Sequence, residues 1–252
     1  MKKISILSLH LGYGGIEKSI AALANLLCER YEVEIACSYQ LYEKPSFPID
    51  SKVKINYLMG EDKPNKNEWK DSLKRKKIGK FIKESFYGVK VLYLRRNTMI
   101  NYIKNCDSDI IISTRDFLNE LLGEYAPSHV IKIGWEHNHY NKHKGYADNV
   151  VRSAKNLDYF VLVSTALKEY YKEELKKYKC KCVYIPNILE NIPNTRAPLE
   201  NTRLISVGRL SKEKGYIDLL RIYSILVKEY PEWTLDIIGD GAERENLERF
   251  IR

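Results

Sequence analysis

The chain has 252 residues, 44% of them apolar, which is enough for a substantial core and long for a single small module. With 13 Gly and 8 Pro, and no apolar run near the roughly 20 residues of a membrane span, a collagen-like chain and a spanning helix are both excluded. The net charge of +9 is local: residues 63–104 hold thirteen Lys/Arg against three Asp/Glu, and the remainder is close to neutral.

The five cysteines, Cys28, Cys37, Cys106, Cys180 and Cys182, are odd in number and scattered. That pattern suits a reducing cytoplasm and not a disulfide framework. Met1–Leu9 is a short basic start running into a strand, without a small-residue cleavage site, so no signal peptide is expected.

Strands and helices alternate along the chain, which predicts an open parallel sheet with helices on both faces. Ile4–Leu9 is the first strand. A glycine loop, Gly12-Tyr13-Gly14-Gly15, leads into a helix over Ile16–Arg30 with Ile20, Leu23, Ala24 and Leu27 on one face. Val33–Ser38 and Val53–Leu58 are strands, and the polar stretch Glu61–Asp71 reads as a loop. Between Leu73 and Lys104, Ile78, Phe81, Ile82, Phe86, Val89 and Tyr93 recur at helical spacing. One or two amphipathic helices are expected there, with Gly88 the expected break.

Ile110–Ser113 reads as a buried strand, Phe117–Tyr125 as a helix and His129–Trp135 as a strand ending in Glu136-His137-Asn138-His139. A helix over Asp148–Lys155 and a strand over Tyr159–Val163 follow, then a helix Ala166–Lys177 capped by Thr165 and a strand Cys182–Ile185. Asn187–Thr202, rich in Asn and Pro, reads as a linker. Two further strand–helix units close the sequence: Arg203–Val207 with Gly215–Glu229, and Thr234–Ile238 with Ala242–Ile251. The expected domains are therefore 1–187 and 202–252, joined by 188–201. Two such units alone leave apolar faces uncovered, so this part is expected to be poorly packed or to need another chain.

Candidate chemistry gathers where strands end. Gly208-Arg209-Leu210-Ser211-Lys212-Glu213-Lys214-Gly215 joins a strand to a helix. Ligands bind at that edge of open α/β sheets, and a helix N-terminus there attracts anions. The forked guanidinium of Arg209 and the charge of Lys214 suit a diphosphate, although a solvated basic turn fits the same residues. Gly239-Asp240-Gly241 is either a second close-approach loop or an ordinary tight turn. Gly14 and Gly15 end the first strand in the same manner, without the spacing or the acidic residue of a dinucleotide site.

His137 sits past a strand end, where it is either a cleft group bonding a sugar hydroxyl or a surface histidine. The spacing of His137, His139 and His143 matches no standard metal site, and the lone C-x-C of Cys180 and Cys182 has no second pair, so no metal is expected. Asp107-Ser108-Asp109 precedes a strand and is read as a turn. The segment carrying Lys74, Arg75, Lys76, Lys77, Lys80 and Lys83 interleaves basic and aromatic residues. It reads as a membrane-surface helix, or as a packed helix with a solvated basic face; no nucleic-acid fold accompanies it.

Four segments in order carry a resemblance: Leu11-Gly12-Tyr13-Gly14-Gly15-Ile16-Glu17-Lys18, Tyr184-Ile185-Pro186-Asn187-Ile188, Val207–Gly215 and Leu235–Gly241. Together they resemble the family 4 glycosyltransferases, which have the GT-B fold. The resemblance implies two Rossmann-like domains, acceptor mainly on the first and a nucleotide sugar, by the family's habit a UDP-sugar, mainly on the second. It implies transfer with retention and no metal or other cofactor. By position, Arg209 and Lys214 would hold the diphosphate, Gly14, Gly15, Gly239 and Gly241 would approach the substrates, and His137 with Asn138 would contact the transferred sugar. The basic segment is similar to the membrane-docking surface of members with lipid-linked acceptors, which implies a cytoplasmic or peripheral location.

The family's paired-glutamate segment would lie past Arg252, so the C-terminal domain is expected to be incomplete. Two rival expectations follow: a non-catalytic acceptor- or membrane-binding subunit that needs a second chain, and a nucleotide-sugar epimerase of the same fold.

Overall fold

The computed structural model describes residues 1–60, 62–138, 144–189 and 194–251. They fall into two compact units, Met1–Glu190 and Asn191–Arg252, each taken by itself.

The first unit is a parallel sheet of seven strands: β1 (Lys3–Ser8), β2 (Glu32–Cys37), β3 (Lys54–Tyr57), β4 (Ile110–Ser113), β5 (Ile131–Glu136), β6 (Tyr159–Leu162) and β7 (Lys181–Tyr184). Their spatial order is β3-β2-β1-β4-β5-β6-β7. The chain first winds outward from β1 to β3, then returns to place β4 on the other side of β1. The carboxyl ends of β1 and β4 therefore form a topological switch point, where open α/β sheets leave a crevice.

The central strands are apolar on both faces because helices cover both, as parallel sheets require. Ile4, Ile6, Ile35 and Ile112 pack with Ile20 and Ala24 of α1 (Gly15–Leu27). On the opposite face Leu7, Ala36 and Ile111 pack with helical residues that follow β3 and β4. Each such fully buried side chain contributes about 1.5–3 kcal/mol.

The polar stretch after β3 is not all loop: α2 spans Lys66–Lys74. The basic segment then turns at 75–77, where Lys76 takes a left-handed conformation (φ 53°), and α3 runs unbroken over Ile78–Asn105. The break lies there and not at Gly88, because Gly88 faces Asn65 at the start of α2, whose side chain donates to the Glu84 carbonyl at 3.0 Å. Met99 and Ile103 of α3 pack on the sheet beside Leu118, Leu121 and Leu122 of α4 (Asp116–Tyr125).

α5 (Lys144–Ala154) starts before the expected Asp148, and α6 spans Thr165–Leu175. The cap of α6 is Ser164, not Thr165: its Oγ accepts the Leu167 N–H at 3.2 Å, and Thr165 is the first helical residue. Asp107 and Asp109 lie at the amino edge of the sheet, where Lys3 donates to them through Nζ and its backbone N–H, each at 2.7 Å. They act as the turn that the sequence suggests. No described helix is long and apolar enough to cross a membrane.

The second unit pairs β8 (Arg203–Val207) in parallel with β9 (Thr234–Ile238), with α7 (Tyr216–Glu229) and α8 (Arg244–Ile251). Its core is small: Leu210, Tyr216, Leu220 and Leu247. Ile205 and Val207 on β8 remain 65% and 71% exposed, so the expectation of an under-covered apolar face holds among the described residues.

Candidate functional site

In the first unit the candidate site lies at the switch point. After β1 the chain runs through His10 to Gly14, and α1 begins at Gly15. Glu17, in the first turn of α1, is only 4% exposed. It lies on the same helical stripe as Ile20 and Ala24, which draws it into the protein. Arg115 follows β4, and its Nη2 donates to Glu17 Oε1 at 3.0 Å. A Cβ on Gly14 would stand 2.0 Å from Glu17 Oε2, so Gly14 makes room for this carboxylate. Gly15 has open space at the same position.

His10 Nδ1 accepts the Gly12 N–H at 3.1 Å and lies 3.8 Å from Glu17 Oε1. Burial lowers its pKa; Glu17 opposes that shift and Arg115 adds to it. At the end of β5 the rings of Trp135 and of His137, which follows the strand, stack obliquely, 4.3 Å between centroids. Burial, with the nearby Arg115 charge, pushes the His137 pKa down to about 4. The imidazole is thus neutral near pH 7, able to hydrogen-bond but too weak a base to take a proton efficiently.

The Glu136 carboxyl is raised by burial, against the pull of two donors: Asn138 N at 2.7 Å and Tyr146 Oη at 3.2 Å. Asn138 thus holds Glu136 through its backbone, while its side chain interacts with Tyr146. His139 and His143 lie outside the described residues.

Buried polar atoms without a partner collect at this edge. Ser38 Oγ, Arg95 Nε, Arg115 Nε, Trp135 Nε1 and His137 Nε2 are all buried and make no hydrogen bond among the described residues. Leaving such a group unsatisfied costs about 1–3 kcal/mol each, so their concentration marks a place where a ligand or water completes the bonding. The structure thus brings Gly14, Gly15 and His137 around a Glu17–Arg115 pair that sequence reasoning did not single out. Glu17 had a readable signal, an acid on an apolar helical stripe. Arg115 had none beyond its place after a buried strand.

In the second unit the residues of the loop 208–215 keep their strand-to-helix position. Arg209 is exposed and within 3.7 Å of Glu213. Lys214 ends a single 3-10 turn, Lys212–Lys214, and Gly215 (φ 68°) supplies the left-handed step into α7. A cavity of about 280 Å³ opens beside this turn, lined by Ser211, Lys212, Gly215, Tyr216, Glu243 and others.

Gly239 and Gly241 are engaged within the unit. A Cβ on Gly239 would stand 1.9 Å from the Gly208 carbonyl, and one on Gly241 would stand 2.3 Å from that of Leu210. Leu210 N also donates to the Asp240 carbonyl at 2.9 Å. These glycines let the loops after β8 and β9 press backbone to backbone.

The basic residues Lys74, Arg75, Lys76, Lys77, Lys80 and Lys83 are exposed around the α2–α3 turn. Beside them Ile78, Ile82, Phe86, Val89 and Tyr93 form an exposed apolar stripe along α3, between 49% and 73% open. The outer half of α3 is therefore not packed on the sheet through this face.

The family described as Glycosyl transferases group 1 matches residues 187–252, which include the second unit. A Haemophilus influenzae protein named as an uncharacterized glycosyltransferase is 30% identical over 267 aligned residues, covering 100% of this chain and 66% of that protein. A Campylobacter jejuni N-acetylgalactosaminyltransferase, named for a diacetylbacillosaminyl-diphospho-undecaprenol substrate, is 26% identical, with 100% and 66% covered. The structure of the apo lipopolysaccharide outer core galactosyltransferase WaaB matches with a TM-score of 0.55 at 17% identity, over 98% of this chain and 64% of that one. This last likeness shows the GT-B fold. The chain spans between 26% and 66% of the length of the curated relatives it matches. The family model and these relatives agree: residues 187–252 belong to the group 1 glycosyl transferases, and the chain as a whole is similar to glycosyltransferases.

Proposed function

We propose that the chain transfers a sugar, with retention, from a nucleotide-sugar donor to a glycolipid or surface-polysaccharide acceptor. The observation that carries this reading is the switch-point site, where unpartnered buried donors surround the Glu17–Arg115 pair and a neutral His137. That environment suits hydroxyls and anions, and its two described histidines, His10 and His137, are both held below the usual imidazole pKa by burial.

A mechanism in which the leaving group takes the proton suits these weakly basic histidines. Arg209 and Lys214 hold the donor diphosphate and stabilise the charge that develops as it leaves. The acceptor hydroxyl attacks the anomeric carbon from the side the diphosphate departs. The C–O bond to the acceptor forms, the bond to phosphate breaks, and a phosphate oxygen takes the hydroxyl proton. His137 orients the sugar by hydrogen bonding and does not act as the base. The reaction uses the two cations in place of a metal. UDP-sugars are the first donors to try.

The apolar stripe and basic flank of α2 and α3 support docking on an anionic membrane, which suits a lipid-linked acceptor such as that named for the Campylobacter relative. The test is release of nucleoside diphosphate from a panel of nucleotide sugars with candidate acceptors, and the anomeric configuration of the product by NMR. Arg209→Ala should lower transfer at least tenfold (about 1.4 kcal/mol or more of transition-state stabilisation). Unchanged turnover, or an inverted product, overturns the reading.

A second reading, a binding subunit completed by a partner chain, is favoured by one observation: the exposed Ile205 and Val207 on β8. It predicts vesicle or acceptor binding with no stabilisation by nucleotide.

A further inference from the structure

The exposed apolar stripe of α3 continues into a groove of about 580 Å³ between α2 and α3. Trp69, Val89, Val91 and Leu92 form its apolar lining, and Arg95 lies at one end. The volume is that of a small-molecule site. Several polar groups at the groove are already engaged: Asn65 Nδ2 donates to Glu84 Oε2 at 2.5 Å, and Trp69 Nε1 donates to Ser85 Oγ at 2.9 Å, while Lys66 lines the groove as a further cation.

Arg95 is different. It forms no ion pair among the described residues, and its buried Nε has no partner. Its guanidinium lies 4.5 Å from the Phe117 ring centroid, at the start of α4, two residues after Arg115. Both guanidiniums also lie close enough to the Tyr39 phenol to favour its ionisation, against the burial that raises its pKa. Arg95 thus joins the inner end of the groove to the switch point, where Arg115 Nε is the next unpartnered donor. Glu17 neutralises Arg115, so Arg95 leaves one positive charge in excess beside two free buried N–H groups. An anion is the group that this arrangement accepts.

The geometry points to an acceptor subsite for an amphiphile, with its phosphate or diphosphate on Arg95 and Arg115 and its apolar chain in the groove between α2 and α3. This deepens the transferase reading and rests on it for the word acceptor. The apolar stripe at the groove's outer side would let such a chain enter from a membrane surface. The head group would then stop beside His137 and the Glu17–Arg115 pair, with the groups it carries at the crevice.

The experiment uses farnesyl diphosphate as the amphiphile, with inorganic diphosphate and farnesol as its separated halves. Binding to the full chain is followed by calorimetry and by the fluorescence of Trp69, which lines the groove. The expected result is saturable binding of farnesyl diphosphate at least tenfold tighter than either half. Arg95→Gln should weaken it at least tenfold, and Arg95→Lys should restore part of the loss. Val89→Ser, an exposed groove substitution, should weaken farnesyl diphosphate while sparing inorganic diphosphate, and it keeps the test open if Arg95→Gln fails to fold.

Unchanged affinity in Arg95→Gln, or inorganic diphosphate binding as tightly as the amphiphile, would each overturn the subsite. Sugar transfer to a lipid-free acceptor without farnesyl diphosphate binding overturns the subsite alone. Binding as described without any sugar transfer supports the subsite and overturns the transferase reading instead.

Discussion

Arg115 reaches from the end of β4 across to Glu17 in the first turn of α1, and its Nη2 donates to the buried carboxylate at 3.0 Å. The pair ties together the two strands at which the winding of the sheet reverses. It holds a negative charge at a helix N-terminus, where the dipole favours it. Removing one partner strands the other in a site that water reaches poorly. Glu17→Ala should therefore cost about 3 kcal/mol. The Glu17→Ala/Arg115→Ala double variant should cost less than the sum of the singles, and a denaturation-based double-mutant cycle reads the coupling. Additive losses would show that the two side chains do not act as a pair.

His137 gives a pH signature. Its folded pKa, about 4, lies below the ordinary value near 6.5 because burial and Arg115 oppose its charge. Protons therefore bind the unfolded chain first. The stability from this residue is fully present above about pH 6.5 and declines toward pH 4, by on the order of 3 kcal/mol in total. His137→Asn should flatten that part of the stability–pH curve. In NMR titrations the His137 ring should stay neutral at pH 5.5, and a midpoint near 6.5 would contradict the buried neutral imidazole.

The glycines after β9 are tested by adding a methyl group. A Cβ on Gly239 meets the Gly208 carbonyl, a backbone atom that cannot rotate away. Gly239→Ala should destabilise the second unit by about 2–4 kcal/mol, in the upper range for single substitutions. Gly15→Ala, with open space at its Cβ, should cost less than about 1 kcal/mol. Thermal melts of both variants make the comparison, and equal losses would remove the packing explanation.

The basic turn is tested on vesicles. Each lysine near an anionic surface contributes about 1 kcal/mol. Replacing Lys74, Lys76 and Lys77 by Gln should therefore weaken binding to phosphatidylglycerol vesicles by about a hundredfold or more, and raised salt should do the same to the parent protein. Phe86→Ser should weaken it by a salt-independent amount, since that side chain is 73% exposed on the apolar stripe. Undiminished binding after the lysine replacements would remove the membrane reading of this surface.

The alternation of strands and helices, the loops at strand ends and the local positive charge were legible in the sequence, because each depends on residues near in the chain. A buried strand such as Ile110–Ser113 needs only its own apolar run to be read. The start of α2 at Lys66 was not legible, since that polar helix is held by Trp69 and Asn65 contacting α3 more than a dozen residues away. For the same reason the break fell at Lys76 and not at the more obvious Gly88.

By itself the sequence determined the parallel α/β architecture and which glycines, cations and histidine stand at strand ends, through hydrophobic period and turn chemistry. Only the tertiary structure decided that Glu17 and Arg115 are partners, 98 positions apart, and that Arg95 stands beside them with a free buried nitrogen. Strand order caused this: the return of the chain to place β4 next to β1 is a non-local choice, made by burial across the whole sheet, and local pattern does not record it.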